Sequence, residues 1–241
     1  MSNIIKQNQL KQFYKSKFDN SVNKEYSSPL LISLNEAINT DIMIVGQETN
    51  SWYGSYGNFL NRGIDEQMKI YEKFMTEEYS KMNTMFWRYV KEIINDEDTT
   101  PVFNNLFKFD LGDNRKHRNI SKASKTEYEM IIDFHKGILA KEIEIIKPKI
   151  IIFFTGHVYD KLFIDPIIKQ NGDYKQLYKP ISQLSVDEWK CGILDLKNFP
   201  GFENFEGKAI RTYHPIYLNR KLTDFGNDII KYLKNEVKSV L

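Results

Sequence analysis

Polar side chains that could carry acid–base chemistry follow a short apolar run near residue 45. Residues 41–45 read Asp-Ile-Met-Ile-Val, and Gly46, Gln47 and Glu48 come directly after them. A run of apolar, β-branched residues is typical of a strand buried on both faces of a parallel sheet. Because open α/β sheets place ligand sites at the carboxyl ends of such strands, we expect a site here.

A second run of the same kind lies far downstream and ends in a histidine. Residues 209–213 read Ala-Ile-Arg-Thr-Tyr, and His214 and Pro215 follow. A residue before proline is pushed to an extended conformation, which suits a side chain projecting from a strand end. A carboxylate such as Glu48 can position or deprotonate water, and a donor such as His214 can stabilise developing negative charge. The alternatives are a loop carboxylate that holds backbone amides and a structural histidine.

The two segments together resemble the paired motifs of the uracil-DNA glycosylase superfamily. In that family a Gly-Gln-Asp-Pro-Tyr-His segment closes the first strand and a His-Pro-Ser-Pro-Leu-Ser segment closes the last. The matching positions are Gly46, Gln47, His214, Pro215 and Leu218, with Glu48 in place of the acid. The resemblance implies hydrolysis of the N-glycosidic bond of uracil or another deaminated base in DNA. It assigns catalysis to Glu48 and His214.

The resemblance also implies residues that would bind the substrate. Gly46 and Gln47 belong to the first motif and are assigned to this role. Adjacent strand residues face opposite sides, so only one amide of the pair 104–105 can point into a given pocket. Residues 105–108 read Asn-Leu-Phe-Lys and resemble a family Asn-x-x-Lys segment, which favours Asn105. Phe59, with Tyr56 behind it, is expected to stack on the base. The alternatives are a buried amide and ordinary core aromatics.

The expected DNA contacts lie around the second motif and in a charged loop. Leu218 holds the place of the family's wedge leucine, which fills the gap left by an extruded base. The cations that could bind phosphate are Lys116, Arg118, Arg220 and Lys221. The second proline and both serines of the family loop are replaced here. The alternative is a solvated charge run.

Composition excludes several classes of protein. The 241 residues carry a net charge of +2, so a nucleic-acid binder would have to concentrate its cations on one face. One cysteine, Cys191, excludes an internal disulfide and a cysteine-rich metal or iron–sulfur site. We expect no metal, no cofactor and a monomer. The absence of a signal-peptide-like or membrane-spanning run predicts a cytoplasmic protein that contacts no membrane.

The alternation of apolar runs and helical patterns predicts an α/β fold. We expect a three-layer sandwich with a central four-stranded parallel sheet, as the glycosylase resemblance implies. The strands are expected near residues 41–45, 101–107, 150–154 and 209–213. A capping-box pattern at residues 124–127 predicts a helix that runs to about residue 146. Residues 1–241 are expected to form one domain, with a helical N-terminal extension over residues 1–40.

Other functions fit the same residues. The altered acid and the changed wedge loop suit a catalytically inactive nucleic-acid-binding protein on the same fold. The nearly balanced charge suits a hydrolase of nucleosides or other small N-glycosides. A protein-interaction module that keeps only the sheet is a further alternative.

Overall fold

The computed structural model describes residues 2–19, 22–112, 118–156, 159 and 178–241, and its centre is a mixed sheet. The strands are β1 (Ile38–Gly46), β2 (Thr100–Asn105), β3 (Ile150–Phe153), β4 (Tyr178–Lys179), β5 (Cys191–Leu194) and β6 (Lys208–Thr212). Their order in the sheet is β2-β1-β3-β6-β5-β4. The first four run parallel, whereas β5 pairs antiparallel with β6 and β4 antiparallel with β5.

The α/β class is confirmed, but the sheet is larger than the sequence predicted. Six strands of mixed direction replace the expected four-stranded parallel sheet. The two additional strands are two and four residues long. Strands this short carry too few residues for an alternating pattern to stand out in the sequence.

Helices lie on both sides of the sheet and bury its strands. In the described part of the chain they are α1 (Asn3–Lys17), α2 (Tyr56–Lys73), α3 (Met85–Ile94), α4 (Lys125–His135), α5 (Ile138–Ile146), α6 (Pro215–Arg220) and α7 (Asn227–Lys238). Helix α1 packs on α2 and α5, and α3 packs on α6 and α7. No helix of the described ranges is both long and apolar enough to cross a membrane.

Capping residues set where the helices begin and end. The predicted box at Ser124 and Glu127 is present, with each side chain accepting the other residue's backbone N–H. The expected single helix to residue 146 is divided at Gly137, whose φ of +76° breaks the hydrogen-bond ladder between α4 and α5. A second box, formed by Ser55 and Asn58, begins α2.

The N-terminal 40 residues are not a helical extension. In the described part of residues 1–40 only α1 is helical, and residues 27–34 contain no helix and are buried. Leu30, Leu31 and Ile32 are fully buried, and the Leu30 N–H donates to the Lys108 carbonyl at 2.7 Å. Their side chains belong to the same apolar cluster as the strands. This segment is therefore part of the core.

A buried ionic network joins α1, β2 and α5. The Lys108 ammonium lies 2.7 Å from the Glu142 carboxylate, and both side chains are fully buried. Glu142 also accepts hydrogen bonds from the Tyr14 hydroxyl at 2.6 Å and from Asn104 Nδ2 at 2.9 Å. Lys108 Nζ donates to Asn104 Oδ1. Desolvation lowers the pKa of Lys108, and the adjacent Glu142 carboxylate opposes that shift. The network therefore fixes the side chain of Asn104.

Replacing the buried acid is expected to destabilise the fold far more than replacing an exposed acid on the same helix. Glu142→Gln leaves a buried ammonium without its counter-charge, which costs about 3–5 kcal/mol. Glu144→Gln removes an exposed pair, 2.9 Å from Lys141, and is expected to cost less than about 1 kcal/mol. Urea unfolding of the two variants measures the difference. Equal losses would show that the network contributes no more than a surface pair.

Candidate functional site

The ends of β1 and β2 meet at one edge of the sheet, as parallel strands require. Gly46 and Asn105 are the last residues of these strands and are register partners. A cavity of about 960 Å³ opens at this edge. Glu48, Asn105 and His214 all line it, although they come from three separate segments of the chain. The three residues for which the sequence predicted catalysis or base reading therefore line the same cavity.

Asn105 presents its side-chain amide to this cavity. The residue is only 3% exposed, and its backbone N–H donates to Asn104 Oδ1 at 2.8 Å. Within the described ranges its side-chain amide has no hydrogen-bond partner. A Cβ on Gly46 would overlap Asn105 Oδ1, so the glycine makes room for the amide. A nearly buried amide without a protein partner is suited to bind a ligand, because it can both donate and accept.

Glu48 is tied to the chain around residue 120. Its carboxylate accepts hydrogen bonds from Asn119 Nδ2 at 2.7 Å, the Ile120 N–H at 2.6 Å and the Tyr159 hydroxyl at 2.7 Å. All three groups donate, so the Glu48 oxygens act as acceptors. These bonds fix the carboxylate at the cavity wall and connect three separate segments of the chain.

His214 is held as a neutral imidazole with a defined tautomer. It forms the N-cap of α6, and its Nδ1 accepts the Ile216 N–H at 3.2 Å. Burial lowers the pKa of the imidazole to about 4. A neutral ring that accepts at Nδ1 carries its proton on Nε2. His214 is therefore a hydrogen-bond donor at Nε2 near neutral pH.

The loop after Glu48 is anchored by a buried acid. Asp110 is fully buried and accepts the Ser51 N–H at 2.5 Å and the Thr49 hydroxyl at 3.1 Å. Ser51 and Tyr53 both have positive φ, at 55° and 47°, a conformation that non-glycine residues adopt only where the surroundings impose it. The anchored loop places Trp52 and Tyr53 at the cavity wall.

An aromatic wall faces this loop from α3. Phe86 is half-buried and lines the cavity. Its ring lies 5.7 Å from the His214 imidazole between centroids and also contacts Phe103 and Phe154. A flat ring beside the imidazole offers a surface on which a planar ligand can stack.

The stacking role expected for Phe59 and Tyr56 does not hold. Tyr56 is fully buried and Phe59 is 2% exposed, and neither lines the cavity. Their rings pack on each other at 5.1 Å, and the Tyr56 hydroxyl donates to the Asp19 carbonyl at 3.1 Å. Both belong to the core because the Ser55 cap begins a helix whose apolar face turns inward.

The residues expected to contact DNA are arranged differently from the prediction. Leu218 cannot act as a wedge, because it is fully buried on the inner side of α6. Lys221 is paired with Asp224 at 3.1 Å and Arg118 with Glu127 at 2.9 Å. Arg220 is exposed and lines the cavity. Lys116 lies outside the described residues.

The remaining motif residue, Gln47, ties two strand ends together. Its Nε2 donates to the Thr155 carbonyl, just past β3, at 2.8 Å. Gln47 also lines the cavity, so its position supports both a structural and a binding role. The described ranges contain no group of three or more His, Cys, Asp or Glu side chains that could hold a metal ion.

Three residues that shape the site were not singled out from the sequence. Phe86 follows the apolar period of α3, so nothing in the pattern separates it from core residues. Asn119 and Asp110 lie in a polar stretch between elements, where no periodic signal exists. Their partners, Glu48 and Ser51, are some 60 to 70 residues away in the chain.

The titration of His214 tests the assigned tautomer. An unfolded-state pKa of about 6.5 and a folded-state pKa of about 4 mean that the unfolded chain binds more protons between these values. His214 therefore causes no loss of stability above pH 6.5, and it lowers the free energy of unfolding as the pH falls from 6.5 to about 4. NMR of the imidazole is expected to show a midpoint near 4. His214→Asn keeps an N-cap acceptor and should weaken the acid-induced loss of stability. A midpoint near 6.5 would contradict the burial argument.

Comparison with protein families and with curated proteins finds no relative of this chain. The chain matches no protein-family model and no curated protein. A functional assignment therefore depends on the paired motifs and on the geometry of the cavity.

Proposed function

We propose that this protein is a DNA N-glycosylase that removes uracil or another deaminated base without a metal or redox cofactor. The observation that carries the proposal is the amide of Asn105, which is nearly buried and has no partner in the described residues. It shares one cavity with Glu48 and His214. These are the positions that the glycosylase motifs assign to base reading and catalysis.

The architecture supports the same proposal. Four parallel strands in the order β2-β1-β3-β6 form the part of the sheet that carries the site. This agrees with the four-stranded core implied by the resemblance to uracil-DNA glycosylases. The segment β4–β5 would then be an addition at the edge of the sheet beyond β6.

Base reading is assigned to Asn105. The exposed edge of uracil presents a carbonyl oxygen and a ring N–H next to each other. An amide can donate from Nδ2 to the oxygen and accept at Oδ1 from the N–H, so the two edges are complementary. Gly46 leaves room for this amide at the strand ends, because a Cβ there would overlap Asn105 Oδ1. Phe86 takes the stacking role first assigned to Phe59 and Tyr56.

The chemical step uses Glu48 and His214. Water bound by the Glu48 carboxylate attacks C1′ of the sugar, and the carboxylate takes the proton. The bond between C1′ and the base nitrogen breaks, and its electron pair leaves with the base. His214 donates from Nε2 to the base oxygen on which the negative charge develops. A neutral donor in a partly desolvated site stabilises that charge without a prior proton transfer.

A binding protein without catalysis is a second candidate, and the contacts of Glu48 favour it. Within the described residues the carboxylate accepts hydrogen bonds from Asn119, Ile120 and Tyr159, as an acid that only organises structure would. Its side chain is also one methylene longer than the family's aspartate. A displacement of about 1 Å can lower a rate by two orders of magnitude.

Base release from oligonucleotides tests the proposal. Wild-type protein is incubated with strands containing uracil, hypoxanthine or xanthine, and abasic sites are detected by alkaline cleavage. Glu48→Gln is expected to lower release about 10²–10⁴-fold, and His214→Ala about 10²–10³-fold. Glu144→Gln, an exposed acid on α5, should release base at the wild-type rate.

The possible outcomes separate the candidates. Equal rates of base release by wild type and by the Glu48→Ala, His214→Ala double variant would rule out the mechanism that uses Glu48 and His214. Binding to DNA without any release would favour the binding protein. Release from free nucleosides, with no salt-dependent affinity for DNA, would indicate a small N-glycoside hydrolase.

A further inference from the structure

Exposed apolar side chains concentrate at the mouth of the cavity. Eight large apolar residues of the described ranges are exposed, and three of them line this one opening: Tyr53, Ile216 and Tyr217. Three others lie near the chain termini. Exposed apolar side chains that gather around one cavity are typical of a binding surface.

Helix α6 divides its residues between the core and this opening. Pro215 and Leu218 are buried, whereas Ile216 and Tyr217 are 47% and 39% exposed. The Tyr217 ring packs on the Tyr213 ring with centroids 4.3 Å apart and planes at 40°. Because Tyr213 is buried, it supports Tyr217 from below and leaves the other face of the Tyr217 ring available.

One cation lies on the same exposed side of α6. Arg220 lines the cavity, and no carboxylate of the described ranges forms an ion pair with it. The neighbouring cation Lys221 is already paired with Asp224, as Arg118 is with Glu127. A phosphate entering beside the cavity would therefore meet Arg220 without displacing an existing ion pair.

We propose that the rim of the cavity, formed by Tyr53, Ile216, Tyr217 and Arg220, binds single-stranded DNA. Tyr217 stacks on the base next to the one in the cavity, and Arg220 binds the phosphate between these two bases. The proposal rests on the function proposed above. Aromatic faces combined with a cation are the elements that proteins use to bind single strands. Extruding one base from a duplex would need a wedge to fill the gap, and the residue expected to supply it, Leu218, is buried.

Binding measurements with charge-matched variants test the rim. The probe is a fluorescein-labelled oligothymidine of about nine nucleotides, with and without one deoxyuridine, followed by fluorescence anisotropy over a range of salt concentrations. Arg220→Gln is expected to reduce the slope of log K against log salt by about 0.7, the value for one phosphate contact on a single strand. Lys221→Gln removes the same charge one residue away and should leave the slope unchanged.

Stacking is tested on the same probe. Tyr217→Ala is expected to weaken binding by roughly tenfold, within the range measured for one stacked base. Met130→Ala, which removes an exposed apolar side chain from α4, should bind as wild type does. Both side chains are exposed, so the variants should fold, and thermal melting checks this.

The outcomes distinguish the rim from the catalytic proposal. The proposal that the rim binds single strands is contradicted if Tyr217→Ala binds as wild type does or if the annealed duplex binds more tightly than the single strand. It is also contradicted if Arg220→Gln and Lys221→Gln give equal slopes of log K against log salt. Deoxyuridine monophosphate binding as tightly as the oligonucleotide would also overturn it. Binding that depends on Tyr217 and Arg220, without base release, would support the rim and reject the glycosylase.

Discussion

The opposite directions of two adjacent amides at the end of β2 organise the site. Asn104 faces the sealed side of the sheet, where Lys108 and Glu142 hold both of its amide atoms. Because side chains alternate along a strand, fixing Asn104 sends Asn105 to the other face. There it lies against Gly46 and faces the cavity. By fixing Asn104, the buried ionic network thus also orients Asn105, whose side-chain amide has no hydrogen-bond partner in the described residues.

The other two reactive groups reach the cavity through local hydrogen bonds rather than through the sheet register. His214 caps the short helix that follows β6, which fixes its tautomer, and its burial keeps the ring neutral. Glu48 is fixed by donors from the loop at residues 119–120 and from Tyr159. The site therefore combines a neutral donor, a carboxylate and an amide, the groups that the proposed glycosidic cleavage would use.

The parts of this arrangement that follow from regular patterns could be predicted from the sequence. Apolar runs ending in Gly46 and His214 indicated strands whose carboxyl ends meet, and the box at Ser124 marked a helix start. The face of Asn105 followed from strand alternation and from the resemblance to glycosylases.

The predictions that were wrong concern features that the periodicity of the sequence does not encode. Phe59 and Phe86 both occupy apolar positions of helices, and only tertiary packing decides which ring reaches the cavity. Leu218 matched a motif, yet the short helix α6 turns it inward and exposes Ile216 and Tyr217 in its place. The strands β4 and β5 were too short to be distinguished from turns.

NMR of the asparagine side chains tests most directly whether Asn105 reads a base in this cavity. A uracil-containing single strand is added to ¹⁵N-labelled Glu48→Gln protein, in which base release is expected to be slow. We expect the Nδ2 signals of Asn105 to shift to saturation while those of Asn104 stay fixed. A Gly46→Ala substitution, which displaces the amide, should abolish the shift, whereas Gly57→Ala at the start of α2 should not. Unchanged Asn105 signals, with binding shifts confined to another surface, would show that Asn105 does not read a base in this cavity.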